Sequence, residues 1–221
     1  MSIEQLSHAE FHDLIEGQTV LEHDRYGIKV VETADRKMIK LFRLKRWWSS
    51  ARFYPYAERF RVNSEKLRAL GIPCVCVERV AYCREEKRYL VIYPKIEGKS
   101  LRTILQGGYR PEYIARLAGL IGELHRQGVY FRSLHLGNII ATGDGDYALI
   151  DCADMRIRGR PLNLRRRMRN FRHLFRYRED LGYIQRYQLN RFLDDYGQAS
   201  GVNGRQLDSI RESLHALLSK E

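Results

Sequence analysis

The sequence predicts an α+β fold in which strands dominate the first part of the chain and helices the second. Three observations carry this. Thr19–Glu32 (TVLEHDRYGIKVVE), Arg36–Phe42 (RKMIKLF), Val75–Ala81 and Arg88–Tyr93 are rich in valine, isoleucine and aromatics and read as strands. Pro111–Gln127 places Ile114, Leu117, Ala118, Ile121 and Leu124 at helical spacing, with proline at its start and Gly128 just past its end. The length of 221 residues suits one large domain or two small lobes sharing a cleft, enough for a real core.

In chain order, residues 2–18 read as a short amphipathic helix or an ordered arm. The strands 19–32 and 36–42 follow, joined by a turn at Ala34-Asp35. Ser49–Ala69 reads as a helix with Phe60, Leu67 and Leu70 on its buried stripe, and Gly71-Ile72-Pro73 is its stop signal. After the second strand pair comes the connector Pro94–Leu101, and after it the Pro111–Gln127 helix, in which His125 reads as structural. Ile139–Thr142 and Tyr147–Ile150 read as two short strands around the turn Gly143-Asp144-Gly145-Asp146. Glu179–Tyr196 and Gly204–Leu218 read as two closing helices.

Composition limits the compartment and the partners. No stretch approaches the roughly 20 apolar residues that span a bilayer. The start MSIEQLSHAEFHDLIEG lacks the basic and apolar runs of a signal peptide, so a cytoplasmic location is expected. Cys74, Cys76, Cys83 and Cys152 fit neither a paired CxxC zinc site nor a disulfide framework, and read as idle thiols in a reducing compartment. The net charge is +12. It predicts an anionic partner: nucleic acid, a membrane surface or a phosphorylated glycolipid. Ten arginines lie between Arg156 and Arg178, at 156, 158, 160, 165, 166, 167, 169, 172, 176 and 178, with no acidic residue in the interval. Guanidinium forks grip phosphate in a bidentate manner, and Phe171, Phe175 and Tyr177 interleave them. No nucleic-acid motif accompanies the run, so a specific nucleic-acid partner is not expected.

The chemistry concentrates in YFRSLHLGNIIATGDGDYALIDCAD, Tyr130–Asp154. Asn138 precedes one strand of the hairpin and Asp151 ends the other. An amide oxygen and a carboxylate are hard donors of the kind that hold Mg2+ beside phosphates; the plainer reading is two solvated strand ends. Phe131-Arg132-Ser133-Leu134-His135-Leu136-Gly137-Asn138 lies position by position on the kinase loop His-Arg-Asp-Leu-x-x-x-Asn, and Asp151 stands where the metal-binding Asp follows the hairpin, with Cys152-Ala153 in place of Phe-Gly. The chain therefore resembles the protein-kinase-like superfamily. More narrowly, through KLFRLKR, RVNSEKLRALGIP and FRSLHLGNII, it resembles the small bacterial lipopolysaccharide-core (heptose) kinases and the related "toluene tolerance" proteins, over most of residues 20–180.

This resemblance implies a two-lobed fold: a small antiparallel-sheet lobe with one long helix over 1–93, and a mainly helical lobe over 94–221. It implies ATP and Mg2+ as cofactors and transfer of phosphate to a core sugar, with the arginine run against the anionic lipopolysaccharide core or the membrane surface, in the cytoplasm or peripheral at the inner membrane. Lys40, in Met38-Ile39-Lys40-Leu41-Phe42 and 93 residues before Ser133, corresponds to the lysine that neutralises nucleotide phosphates; by simple alternation it is a solvent-facing strand lysine. Backbone groups around Tyr93 to Ile96 correspond to the adenine contacts. Asn138 and Asp151 correspond to the metal ligands.

Three departures from the kinase pattern stand out. Gly27 is the only glycine near the first strand turn, so no glycine-rich phosphate loop is present. At the helix position of the lysine's glutamate partner stands Asn63, flanked by Glu58 and Glu65. Asn63 is the favoured partner of Lys40, with either glutamate as the alternative. Ser133 replaces the Asp that orients the acceptor hydroxyl, and a serine takes no proton without a neighbouring base. General-base catalysis is worth about 10²–10⁴-fold, so its loss need not abolish transfer. His135 and Asp154 are the candidate substitutes, and a silent pseudokinase that binds nucleotide or glycolipid is the other reading.

Overall fold

The computed structural model describes residues 3–43, 55–143 and 145–219. The chain is mixed α+β, with a six-stranded sheet and, among the described residues, eight α-helices. It divides into two compact units, residues 1–97 with 148–154, and residues 98–147 with 155–221.

The first unit comprises β1 (Glu4–Leu6), α1 (His8–Ile15), β2 (Thr19–Asp24), β3 (Gly27–Glu32), β4 (Lys37–Arg43), α2 (Tyr56–Ala69), β5 (Arg79–Cys83) and β6 (Arg88–Pro94). Sheet order is β1-β5-β6-β4-β3-β2, antiparallel except for β1, which lies parallel to β5 with Leu6 beside Cys83. The arm expected over 2–18 is thus an edge strand and then a helix. Ser7 begins α1 with a reciprocal capping box to Glu10. Phe11 of α1 is buried with Leu6, Val31, Ile39, Leu41, Ala81, Cys83, Leu90 and Ile92. Residues alternate across a strand, so Met38, Lys40 and Phe42 of β4 take the other face. That face carries α2, through Phe42 against Phe60 at 5.8 Å and Phe60 against Tyr93 at 5.5 Å between ring centroids. Strands covered on both faces carry near-continuous apolar runs, as LVIY in β6 does. The strand expected at Val75–Ala81 is displaced to Arg79–Cys83, because Val75 donates its N–H to Leu149 O at 3.3 Å instead of joining the sheet. The helix expected from Ser49 is described from Tyr56 to Ala69; residues 49–54 lie outside the described residues.

The second unit begins with β7 (Lys99–Ser100), α3 (Leu101–Gln106), α4 (Pro111–Arg126), β8 (Val129–Phe131) and β9 (Ile139–Ala141). After β10 (Tyr147–Leu149), whose last two residues belong to the first unit, come β11 (Met155–Ile157), α5 (Leu164–Leu174), α6 (Arg178–Tyr187), α7 (Leu189–Ser200) and α8 (Gly204–Leu218). β8 pairs with β11 and β7 with β9, both antiparallel. Ile114, Leu117, Ala118 and Ile121 of α4 are fully buried. Gly122 permits the close approach of α7: a Cβ there would lie 2.7 Å from Tyr196 O. The single helix expected over 179–196 is two helices, since Gln188 adopts φ 73° between α6 and α7 and a left-handed residue ends a helical run.

Candidate functional site

The predicted site residues fall in both units. In the first, the Lys40 ammonium lies beside the rings of Phe42 and Phe60, with Nζ 5.8 and 5.7 Å from their centroids and 2.6 Å from Asp151 Oδ1. Alternation alone makes Lys40 a solvent-facing residue. Helix α2 covers that face, so the Lys40 side chain is only 15 % exposed and that of Asp151 33 %. An ammonium taken partly out of water needs a counter-charge, and Asp151 supplies it.

Asp151 has φ 60°, in the left-handed region that Asp tolerates better than most residues. The segment around it is held on both sides. Leu149 N donates to Pro73 O at 2.9 Å, and Asn63 Nδ2 donates to Cys152 O at 2.8 Å. Asn63 is 8 % exposed on the inner side of α2. Its amide fixes the backbone immediately after Asp151. The favoured pairing of Lys40 with Asn63 is therefore corrected: the ion-pair partner of the lysine is Asp151. The alternatives are also engaged elsewhere. Arg61 donates Nε to Glu58 at 3.1 Å and Nη1 to Glu65 at 2.6 Å, gathering both carboxylates on the helix surface.

Tyr93 enters by its side chain rather than only by its backbone. Its ring packs on Phe60, and its hydroxyl is pushed above the ordinary phenol range by burial and then by the Asp151 carboxylate. Ile96, two residues beyond β6, is half-buried; beside it Lys95 N donates to Arg36 O at 3.0 Å and Lys95 Nζ grips Glu32 at 2.7 Å. Cys152 is buried, and its hydrogen bond with the Cys74 thiol together with that burial holds it protonated. Asp154 ends the short 3-10 turn Cys152–Asp154 and is half-buried.

In the second unit, Ser133, His135 and Asn138 share one loop. Asn138 is 8 % exposed, and its Nδ2 donates to Ser133 O at 2.9 Å, which closes the loop on itself and leaves the amide oxygen as the donor atom for a cation. His135 Nδ1 accepts the Gly137 N–H at 3.1 Å, and the ring stands edge-on to Tyr177 at 5.0 Å. Two buried groups clamp the loop ends. Asn170 of α5 donates Nδ2 to Phe131 O at 2.6 Å and accepts from Phe131 N at 3.2 Å. Asp180 of α6, fully buried, accepts Leu136 N at 2.9 Å and the fork of Arg102 at 2.9 and 2.8 Å. Asn170, Asp180 and Arg102 were invisible as loop supports in the sequence, where nothing ties positions 102, 170 and 180 together.

The arginine run is not one surface. Eight of the ten residues are exposed, Arg166 is half-buried and Arg167 is 3 % exposed. Arg167 donates to Leu162 O at 2.7 Å, Tyr196 Oη at 2.6 Å and Ser200 O at 3.1 Å. It is a packing anchor and leaves the anion-binding face expected of the whole run. The others repel one another: the Arg166 guanidinium is held below its ordinary range by partial dehydration and by Arg158, Arg160, Arg156 and Arg165. His173 is likewise pushed down by burial and by Arg169, Arg132 and Arg176.

No helix among the described residues is long and apolar enough to cross a membrane. No protein-family model matches the chain, and no curated protein matches it.

Proposed function

We propose that this chain is an ATP- and Mg2+-dependent, kinase-like protein of lipopolysaccharide-core assembly, with the two-lobed architecture of that superfamily, and that it phosphorylates a core sugar of the heptose class. The observation that carries this reading is the 2.6 Å pair between Lys40 and Asp151, residues 111 apart in sequence. A strand lysine held against the Asp that follows the loop-and-hairpin motif is the arrangement that phosphate neutralisation and metal binding need. Asp151 and Asn138 carry oxygen donors of the hardness Mg2+ takes, and Lys40 supplies the charge for the phosphates. The substrate class rests on the resemblance of KLFRLKR, RVNSEKLRALGIP and FRSLHLGNII, and agrees with the exposed arginines of 156–178.

The deciding measurement is titration of Mg-ATP into wild type, Lys40→Met and Asp151→Asn, followed by transfer of labelled phosphate to purified core acceptor. The Asn variant keeps a residue that tolerates a positive φ, so lost binding reports the charge and not the backbone. Binding that both substitutions abolish supports the reading; binding indifferent to both rejects it.

A second reading is a silent relative that binds nucleotide or glycolipid without transfer. It is favoured by His135, whose Nδ1 lone pair is turned to the Gly137 amide, which weakens it as the base for Ser133. Ser133→Asp separates the two readings. Activity that appears only in that variant marks a silent wild type; wild-type activity that depends on Asp154 or His135 marks an enzyme.

A further inference from the structure

Away from the residues above, the first unit brings together two imidazoles and a carboxylate. His8 and His12 sit one turn apart on α1, so both side chains rise from the same face. Glu86 comes from the turn between β5 and β6, 74 residues from His12. The register explains the meeting. The parallel pairing of β1 with β5 sets Leu6 beside Cys83. Ser7 then starts the helix, and Glu86 lies three residues past Cys83, in a turn closed by Lys87 N to Arg84 O at 3.3 Å with Lys87 at φ 51°. The pairing of these strands therefore delivers the start of α1 and the tip of the turn to one place.

His12 Nε2 lies 3.0 Å and His8 Nε2 3.2 Å from the same oxygen, Glu86 Oε1, and the two imidazole centroids are 4.3 Å apart. All three ligand atoms lie within 4.8 Å of one another, the one such group of three His, Cys, Asp or Glu residues among the described residues. Two imidazoles and a carboxylate are the donor set of open zinc sites. Bonds of about 2.0–2.1 Å to a tetrahedral ion put neighbouring donors roughly 3.4 Å apart, and the two nitrogen–oxygen separations, 3.0 and 3.2 Å, need open by only a few tenths of an ångström to reach it. Mg2+ and Ca2+ prefer all-oxygen shells, which this set does not offer.

We propose that His8, His12 and Glu86 form a binding site for a divalent transition-metal ion of the zinc class, with water completing the shell, and that the ion staples α1 to the β5–β6 turn. The site is independent of the Lys40–Asp151 pair and stands whether or not the chain is a kinase. His8 and His12 side chains are 62 % and 48 % exposed, so the ion enters from solvent and the ligands can be replaced without opening the core.

The test uses untagged full-length chain. Zn2+ is titrated calorimetrically into wild type, His12→Ala, Glu86→Gln and a Cys74→Ser/Cys76→Ser control, and the imidazole resonances of the seven histidines are followed by NMR. The expected result is one ion per chain, retained in the serine control and weakened about tenfold or more in the His12 and Glu86 variants. The His8 and His12 resonances shift, and the melting temperature rises only where the ion binds. The proposal is overturned by no stoichiometric binding, by binding that the His12 and Glu86 variants keep at full strength, or by binding that the serine control loses. Circular dichroism of the variants establishes that they are folded, so weakened binding reports lost ligands.

Discussion

Lowering the pH from 7.5 to 5.0 removes about 2 kcal/mol of stability through His125 alone, by proton linkage. The residue is fully buried in α4, and its pKa falls from 6.5 to about 3, first through burial and then through the Arg167 guanidinium. Hydrogen bonding leaves no place for a second proton. Tyr196 Oη accepts from Arg167 and so spends its own proton on His125 Nδ1 at 3.0 Å; Nε2, which then carries the imidazole proton, donates to Asn170 Oδ1 at 3.2 Å. Between about pH 6.5 and 3 the unfolded chain binds a proton here that the folded chain refuses. Stability due to His125 is therefore complete above pH 6.5 and drains as pH falls, at up to about 1.4 kcal/mol per unit. His125→Gln offers a carbonyl acceptor and an NH2 donor group and does not titrate. The assay is urea unfolding of both proteins at pH 7.5, 6.0 and 5.0, followed by far-ultraviolet circular dichroism. The variant starts lower at pH 7.5 and loses about 2 kcal/mol less than wild type by pH 5.0. Equal losses in the two proteins would refute the assignment of a neutral, network-bound His125.

Three further predictions test the rest of the framework. Asp180→Ala strands the buried Leu136 amide and costs about 1–3 kcal/mol, the range for a buried donor left unsatisfied, because the Arg102 side chain, 25 % exposed, keeps water as a partner; a loss below about 0.5 kcal/mol in urea unfolding means Asp180 does not hold the loop. Replacing Arg165, Arg169 and Arg172 together by alanine weakens binding to vesicles bearing anionic lipopolysaccharide about a hundred-fold at low salt, at about 1 kcal/mol per arginine, without lowering the melting temperature. Arg167→Met does the reverse, leaving vesicle binding intact and lowering the melting temperature, because its guanidinium is spent on Leu162, Tyr196 and Ser200; a vesicle-binding loss in Arg167→Met equal to that of the triple variant overturns the division.

The sequence was most legible where a pattern is local. The helix expected over Pro111–Gln127 is α4, Pro111–Arg126, because a periodic stripe, a proline at its start and a glycine beyond its end all act within a few residues. The strands around Lys40 were legible for the same reason. What escaped depends on distant partners. Gln188 breaks the helix at a point where no neighbouring proline or glycine announces it. Asn63 was read by analogy as a partner for Lys40, but a side-chain amide chooses among backbone and side-chain acceptors only once the fold exists, and it took Cys152 O. Lys40 itself shows the limit of alternation: its strand position was plain, but burial was decided by α2 arriving on the outward face. Likewise His8 and His12 carry a visible four-residue spacing, whereas Glu86 joins them only through the β1–β5 register.

The split of the arginine run follows from the geometry of α5. A helix that packs by one side turns every third or fourth residue inward, and in LRRRMRNFRHL the positions inward with Phe171 and Leu174 are Arg167 and Asn170. An arginine forced inward must find acceptors for its fork, and Arg167 finds them on α7 and the chain before α5. Its charge orients the Tyr196 hydroxyl, that hydroxyl fixes the tautomer of His125, and the His125 proton aligns Asn170, whose two amide atoms bind both backbone groups of Phe131. The same helix thus offers phosphate-seeking forks to solvent on one side. On the other it sets, through one continuous donor-to-acceptor chain, the residue from which the Ser133–Asn138 loop departs. A substitution anywhere along that chain reaches the loop without touching it, whereas the exposed arginines alter only what the surface attracts.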